Sequence, residues 1–268
     1  MPSPVLLGRH LVAAARGRRL PFVLCYHGLG HETPETDPGG LMTTPQRFAA
    51  HVDTLRARGY RLVGITELWD AVARGGRAAD GLGAITFDDG LAETHHLAGE
   101  ILRARGATAT AFLTPALLGH DHPDLPPGRR ILRADEVAPL ERAGFEIGAH
   151  SHDHVELPLL GADEQEAQLR RSREVLEGLV GHEVRTMAYP YGRHDETTMA
   201  AASRAGFRIA CGVNGVGGEA GRWRALSVPR EPVFPSTTPA RVRVKAAGLY
   251  GPAQAVSIGL GRLRRRRG

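Results

Sequence analysis

The chain has little of what would staple it, anchor it or mark it for export. Only two cysteines, Cys25 and Cys211, stand in 268 residues, too few for a disulfide scaffold. Both lie in apolar, strand-like runs and read as buried free thiols. No apolar run reaches the about 18 residues of a membrane span. Val5–Ala15 is short and broken by Arg9 and His10, so it does not make a signal-peptide core. Aromatic residues are scarce at 5%, while alanine, arginine and glycine are heavy, a bias that genomic base composition alone can produce. There is no internal repeat and no folded nucleic-acid-binding motif. Positive charge is concentrated at the ends. Of a net +5, much comes from Arg9, Arg16, Arg18 and Arg19 and from Arg262 and Arg264–Arg267, so the middle is close to neutral. These ends read as solvated tails, and no nucleic-acid partner is expected. Val5-Leu6-Leu7 and Leu11-Val12-Ala13, interspersed with basic residues, fit a small amphipathic helix at a membrane surface. The expected location is the cytoplasm, with peripheral membrane contact as an alternative.

What is present is a repeating pattern. Short apolar runs alternate with helical stripes about seven times, which predicts a parallel sheet with helical crossovers. Phe22–Tyr26, Arg61–Ile65, Ala84–Phe87, Thr110–Thr114, Phe145–Ala149, Thr186–Tyr189 and Arg208–Val213 read as strands. Residues 28–43 read as a loop over a cleft. Thr44-Pro45 reads as an N-cap with proline at the first helical position. Ala162–Leu179 is the longest predicted helix.

Chemistry gathers where strands end. Ala84–Phe87 empties into Asp88, Asp89 and Gly90, and the glycine permits a turn that sends two neighbouring acids into one cleft. One can hold a metal while the other takes a proton from water. Phe145–Ala149 empties into His150, His152 and His154. His150 and His154 are four apart, and in a helical turn they would share one face. Two imidazoles and a carboxylate make a common catalytic zinc set. Thr186–Tyr189 runs into Pro190-Tyr191-Gly192, a rigid turn whose N–H groups can receive an oxyanion. His120, Asp121 and His122 lie in the long stretch 115–130, which reads as a mobile polar rim loop.

Together, Thr86-Phe87-Asp88-Asp89-Gly90, His150-Ser151 with His154, and Tyr189-Pro190-Tyr191-Gly192 resemble the polysaccharide deacetylases, carbohydrate esterase family 4. Val23–His27 and the Phe48…Leu55…Gly59-Tyr60 stretch extend the resemblance over residues 20–235. It implies a distorted (β/α) barrel with about seven parallel strands, preceded by a basic segment, 1–19, and followed by a helix and basic tail, 236–268. It implies that Asp89, His150 and His154 bind a divalent metal, usually zinc, that Asp88 is the base, and that the Tyr191 N–H holds the oxyanion. The implied substrate is an acetylated sugar, oligosaccharide or glycan precursor, which loses N-acetyl or O-acetyl groups.

Three departures stand out. Ala188 occupies the place where many members carry an arginine that orients the base, and Arg230, in Val228-Pro229-Arg230, is the candidate substitute. No Leu-x-His follows the third motif, so the general acid falls to His27, His194 or protonated Asp88, with His27 preferred. The acidic tryptophan motif is missing, since Trp223 is flanked by arginines. These features resemble the poly-N-acetylglucosamine deacetylase branch. Two alternatives stay open: an amide or cyclic-imide hydrolase on the same scaffold, and a catalytically silent glycan-binding barrel.

Overall fold

The computed structural model describes residues 18–247, apart from 32, 34, 35, 38, 124–127 and 214–222. The N-terminal amphipathic stretch and the arginine-rich end anticipated from the sequence lie outside the described residues. Along the chain come β1 (Phe22–Tyr26), β2 (Gly28–Leu29), β3 (Met42–Thr43), α1 (Pro45–Ala57), β4 (Arg61–Val63) and α2 (Ile65–Arg74). Next are β5 (Leu82–Phe87), α3 (Ala92–Arg103), β6 (Thr110–Leu113), α4 (Ala134–Arg142), β7 (Glu146–Ala149) and α5 (Ala162–Val180). The chain continues through β8 (Thr186–Ala188), α6 (Glu196–Arg204), β9 (Ile209–Cys211), β10 (Glu231–Pro232) and α7 (Pro239–Ala246). Among the described residues no helix is long and apolar enough to cross a membrane.

The main sheet is parallel, in the order β10-β1-β5-β6-β7-β8-β9, and it curls into a half-barrel surrounded by helices. These seven strands match the expected barrel. A further strand, β4, pairs with Leu82–Ala84 of β5, while β6 takes Thr86 and Phe87 on the same edge. Both faces are covered, so β1, β5 and β6 are buried throughout and mostly apolar rather than alternating. Leu24 and Ile85 point into one cluster with Phe48, Val52 and Leu55 of α1. Val23 and Ala84 point the other way, onto Ile65 and Leu68 of α2.

Register decides where the site lies. Tyr26 is level with Phe87, Phe87 with Ala111, and Leu113 with Ala149, while Ala188 is level with Cys211. Residues that follow these positions, including His27, Asp88 and His150, therefore emerge on one rim, at the carboxyl ends of the strands. The stretch after β9 ties the edges together. Val228 bridges to Cys211 of β9, and Glu231 is level with Leu24 of β1. Arg230 is thus carried across the opening between the two edge strands.

Some boundaries differ from the sequence reading, for tertiary reasons. The fourth strand ends at Val63 and Ile65 already opens α2, because other strands cap that helix. The Ile65 N–H donates to Thr110 Oγ1 (3.0 Å), and the Thr66 N–H and hydroxyl both donate to the Glu146 carboxylate. The loop at 28–43 contains the β2–β3 ribbon, fixed by the Asp37 carboxylate, which accepts from the Leu41 and Met42 N–H groups, both at 2.8 Å. Thr44 does cap α1, accepting from the Arg47 N–H at 3.2 Å. Helix α7 packs on the barrel through Val242 and Ala246, with buried Lys245 3.5 Å from Glu231.

Candidate active site

Four non-glycine residues among those described have positive φ: Asp89 (70°), Ser151 (59°), His154 (58°) and Tyr191 (57°). Such geometry costs an L-residue energy and persists only where the surroundings enforce it. All four lie on the three stretches singled out from the sequence.

The first stretch separates the two acids. The Asp88 N–H continues the sheet ladder, donating to Tyr26 O at 3.0 Å. The left-handed turn at Asp89 then sends the next carboxylate elsewhere. Gly90 has φ of 84°, and a Cβ there would stand 2.8 Å from Leu113, so the turn requires glycine. Asp88 is buried against Arg230, whose guanidinium grips both carboxylate oxygens at 2.6 and 2.8 Å. Arg230 is itself fully buried. It also donates to Thr86 Oγ1 (3.0 Å) and Gly212 O (3.1 Å), and it lies over the Phe112 ring. The Cys25 thiol approaches Asp88 Oδ2 at 3.4 Å from the other side, and the His27 ring reaches the same group. Burial alone would push the Asp88 carboxyl up, but the Arg230 charge, helped by His150 and His27, holds it below the usual carboxylate range. Burial pushes the neighbouring Cys25 thiol well up, so it stays a neutral donor.

The second stretch supplies imidazoles, though not by a helical turn. With Ser151 and His154 both left-handed, the chain folds back on itself, and the positive φ values do what i,i+4 helical spacing was expected to do. The His150 Nδ1 lies 2.8 Å from Ala188 O. A carbonyl can only accept, so Nδ1 carries the proton and the Nε2 lone pair is left for the site. That nitrogen is 3.6 Å from Asp89 Oδ1 and 3.9 Å from Asp88 Oδ2. His154 Nε2 is 3.2 Å from Asp89 Oδ1. Burial takes His150 down to about 4, so its imidazole is neutral at ordinary pH. His152 points away, toward Asp153 at 3.7 Å.

The third stretch places Tyr191 on the rim, its ring half exposed and 5.0 Å from the His154 ring. His194 is committed elsewhere. Its nitrogens lie 3.1 Å from Gly192 O and 2.8 Å from Ser227 Oγ, and its ring stacks on Tyr189.

One residue of this cluster was read differently from the sequence. His122 is not on a polar rim. It is buried, with Nε2 3.4 Å from Asp89 Oδ2. Asp89, His122 and His154 form a set whose donor atoms all lie within 4.8 Å of one another. The Asp89 carboxyl would be raised by burial, but contacts from His122 and His154 outweigh that and hold it well below its usual range. Three imidazoles around one ionised carboxylate are a donor set that fits a divalent metal of the zinc type.

The sequence model of the polysaccharide deacetylase family matches residues 76–210, about half of the chain. The chain belongs to the polysaccharide deacetylase family. It is 26% identical over 192 residues to YxkH of Bacillus subtilis (strain 168), a protein named for the same family. That alignment covers 71% of this chain and 63% of YxkH, so the chain spans less than two thirds of that relative. Among solved structures, IcaB from Ammonifex degensii superposes with a TM-score of 0.73 at 22% identity, over 85% of this chain and 97% of that one. The Streptococcus pyogenes deacetylase PplD, solved with acetate, gives 0.72 at 21% identity, over 85% and 98%. At these identities the superpositions speak for the fold. The family gives the class, a hydrolase.

Proposed function

We propose that this deacetylase removes N-acetyl groups from an acetamido sugar in a glycan or glycan precursor, with metal help and with Asp88 as the base. Asp89, His150 and His154 would hold the divalent cation, zinc by donor chemistry, which when bound supplies a Lewis acid to the acetyl carbonyl. Asp88, kept ionised and immobile by Arg230, takes a proton from the attacking water. The Tyr191 N–H, on the strained turn beside His154, receives the developing oxyanion. His27, next to Asp88, gives a proton to the sugar nitrogen as the C–N bond breaks. Water is thus divided between acetate and a free amine. O-acetyl release would follow the same course, with an alcohol leaving.

The observation that carries this reading is the buried Asp88–Arg230 fork beside the Asp89–histidine cluster. It provides one acid held for proton transfer and another surrounded by imidazoles. A small, nucleotide-linked or lipid-linked precursor in the cytoplasm is the substrate class we favour. Both cysteines are buried and unpaired, which suits a reducing compartment; cell fractionation tests that location. Acetate release from N-acetylglucosamine oligomers and from nucleotide- or lipid-linked N-acetylhexosamines tests the reaction. Wild type should lose turnover on chelation and regain it with zinc, and Asp88→Asn and His150→Ala should stay inactive with zinc restored. Zinc binding without turnover of any acetamido sugar would refute the substrate class and leave the glycan-binding or amide-hydrolase alternatives.

A further inference from the structure

We infer that His122, from the segment between β6 and α4, is an additional protein ligand of this metal site, making three imidazoles with one carboxylate. This rests on the metal-dependent reading above. Donor atoms around a tetrahedral zinc, at about 2.0–2.1 Å from the ion, stand about 3.3 Å apart. Asp89 Oδ1 lies 3.2 Å from His154 Nε2 and 3.6 Å from His150 Nε2, and Asp89 Oδ2 lies 3.4 Å from His122 Nε2. His122 is as well placed as the two histidines singled out from the sequence. Its ring also meets the His154 ring, with centroids 5.7 Å apart, so imidazoles from two separate segments converge on Asp89.

The placement is built by backbone, not by chance side-chain reach. Asp121 bridges to Arg130 in an antiparallel pair, and the His122 N–H donates to Arg129 O at 2.9 Å. The preceding carbonyl, of His120, accepts from the Ile131 N–H at 2.8 Å. Ile131 is in turn fully buried against Leu91 and Met42. This two-stranded brace presents the His122 side chain inward and leaves His120 exposed. An imidazole buried against the His154 ring and the Asp89 carboxylate has given up water around it. A shared cation would replace that water for all four groups at once.

A four-donor set holds its ion more tightly than a three-donor set, so affinity and coordination number are the readouts. Zinc-edge X-ray absorption on the zinc-loaded full chain should show three imidazoles in wild type and two in His122→Asn. Competition with a chelator should show zinc bound at least about 100-fold more weakly by His122→Asn, beyond the about 10–100-fold typical of a residue that only orients a ligand. The cobalt(II)-loaded proteins should differ in their visible absorption. Two imidazoles in wild type would overturn the inference, and this holds even if the variant fails to fold. A variant that folds and keeps both wild-type affinity and wild-type cobalt spectrum would overturn it too. None of these readouts needs turnover. Three imidazoles without acetate release would sink the proposed reaction and spare the ligand, and zinc-dependent acetate release from a two-imidazole site would do the reverse.

Discussion

Asp88 and Asp89 show how far two identical side chains can be driven apart by their surroundings. Both are buried, and both are held ionised, one by a guanidinium and the other by imidazoles. The Asp88–Arg230 fork is buried, so its value to the fold is not the sum of its contacts. Breaking a buried pair by removing one partner costs about 3–5 kcal/mol, because the remaining charge is left without compensation. Arg230→Met should therefore lower the unfolding free energy by that order in denaturant titrations and abolish acetate release. The double variant Asp88→Asn with Arg230→Met should be more stable than Arg230→Met alone, since no charge is then stranded. If the single and double variants are equally unstable, the arginine acts by packing against Phe112 and not by pairing.

At the scale of an element, the site is made of strand ends and of the strained turns that follow them. The Pro190–Gly192 turn is the clearest case. Tyr191 has φ of 57° and Gly192 φ of 69°, and a Cβ on Gly192 would stand 2.7 Å from the Val213 backbone nitrogen. Gly192→Ala then faces strain on the order of 1–3 kcal/mol from the dihedral alone, with the clash added. We expect a lower melting temperature by differential scanning fluorimetry. We also expect a fall in kcat larger than the change in KM, because the Tyr191 N–H is displaced. The strand ends themselves were legible. Apolar runs emptying into Asp88-Asp89-Gly90 and into His150 need only local pattern to be seen. The turn that brings His154 to Asp89 was not legible as drawn, since spacing by four suggested helix and the chain used two left-handed residues instead. His122 was less legible still. A His-Asp-His run in a polar stretch is what a solvated loop looks like, and its burial comes from an antiparallel brace between residues 120–122 and 129–131.

At the scale of the whole molecule, acid should loosen the fold before the carboxylates titrate. His51 and His95 are buried away from the Asp pair, and burial lowers each from 6.5 to about 4. His51 sits between the Tyr26 hydroxyl and Thr237 O, and His95 between Phe87 and Phe145, its Nδ1 donating to Leu91 O. The unfolded chain binds a proton at these groups below about pH 6.5, while the folded chain does not until about pH 4. Stability should thus be full above pH 6.5 and fall as pH drops toward 4, by about 3 kcal/mol per histidine. Denaturant midpoints measured at pH 7, 5.5 and 4.5 check this. His95→Leu should flatten the slope between pH 6.5 and 4, and an unchanged slope would assign the acid sensitivity elsewhere.

The amino-acid order alone determined the parallel α/β barrel, the strand ends that carry chemistry, the two free thiols and the family. Each is written in residues close together in the chain: apolar runs, caps, turn glycines and short motifs. The tertiary structure alone decided which groups meet. Arg230 reaches Asp88 because one segment pairs with both β9 and β1, and the pairing spans 142 residues of sequence. His122 reaches Asp89 because a brace turns it inward, and Ala188 serves the site through its carbonyl, whatever its side chain. Contacts of this kind depend on sheet register and on backbone hydrogen bonds between distant segments, and no local pattern encodes them.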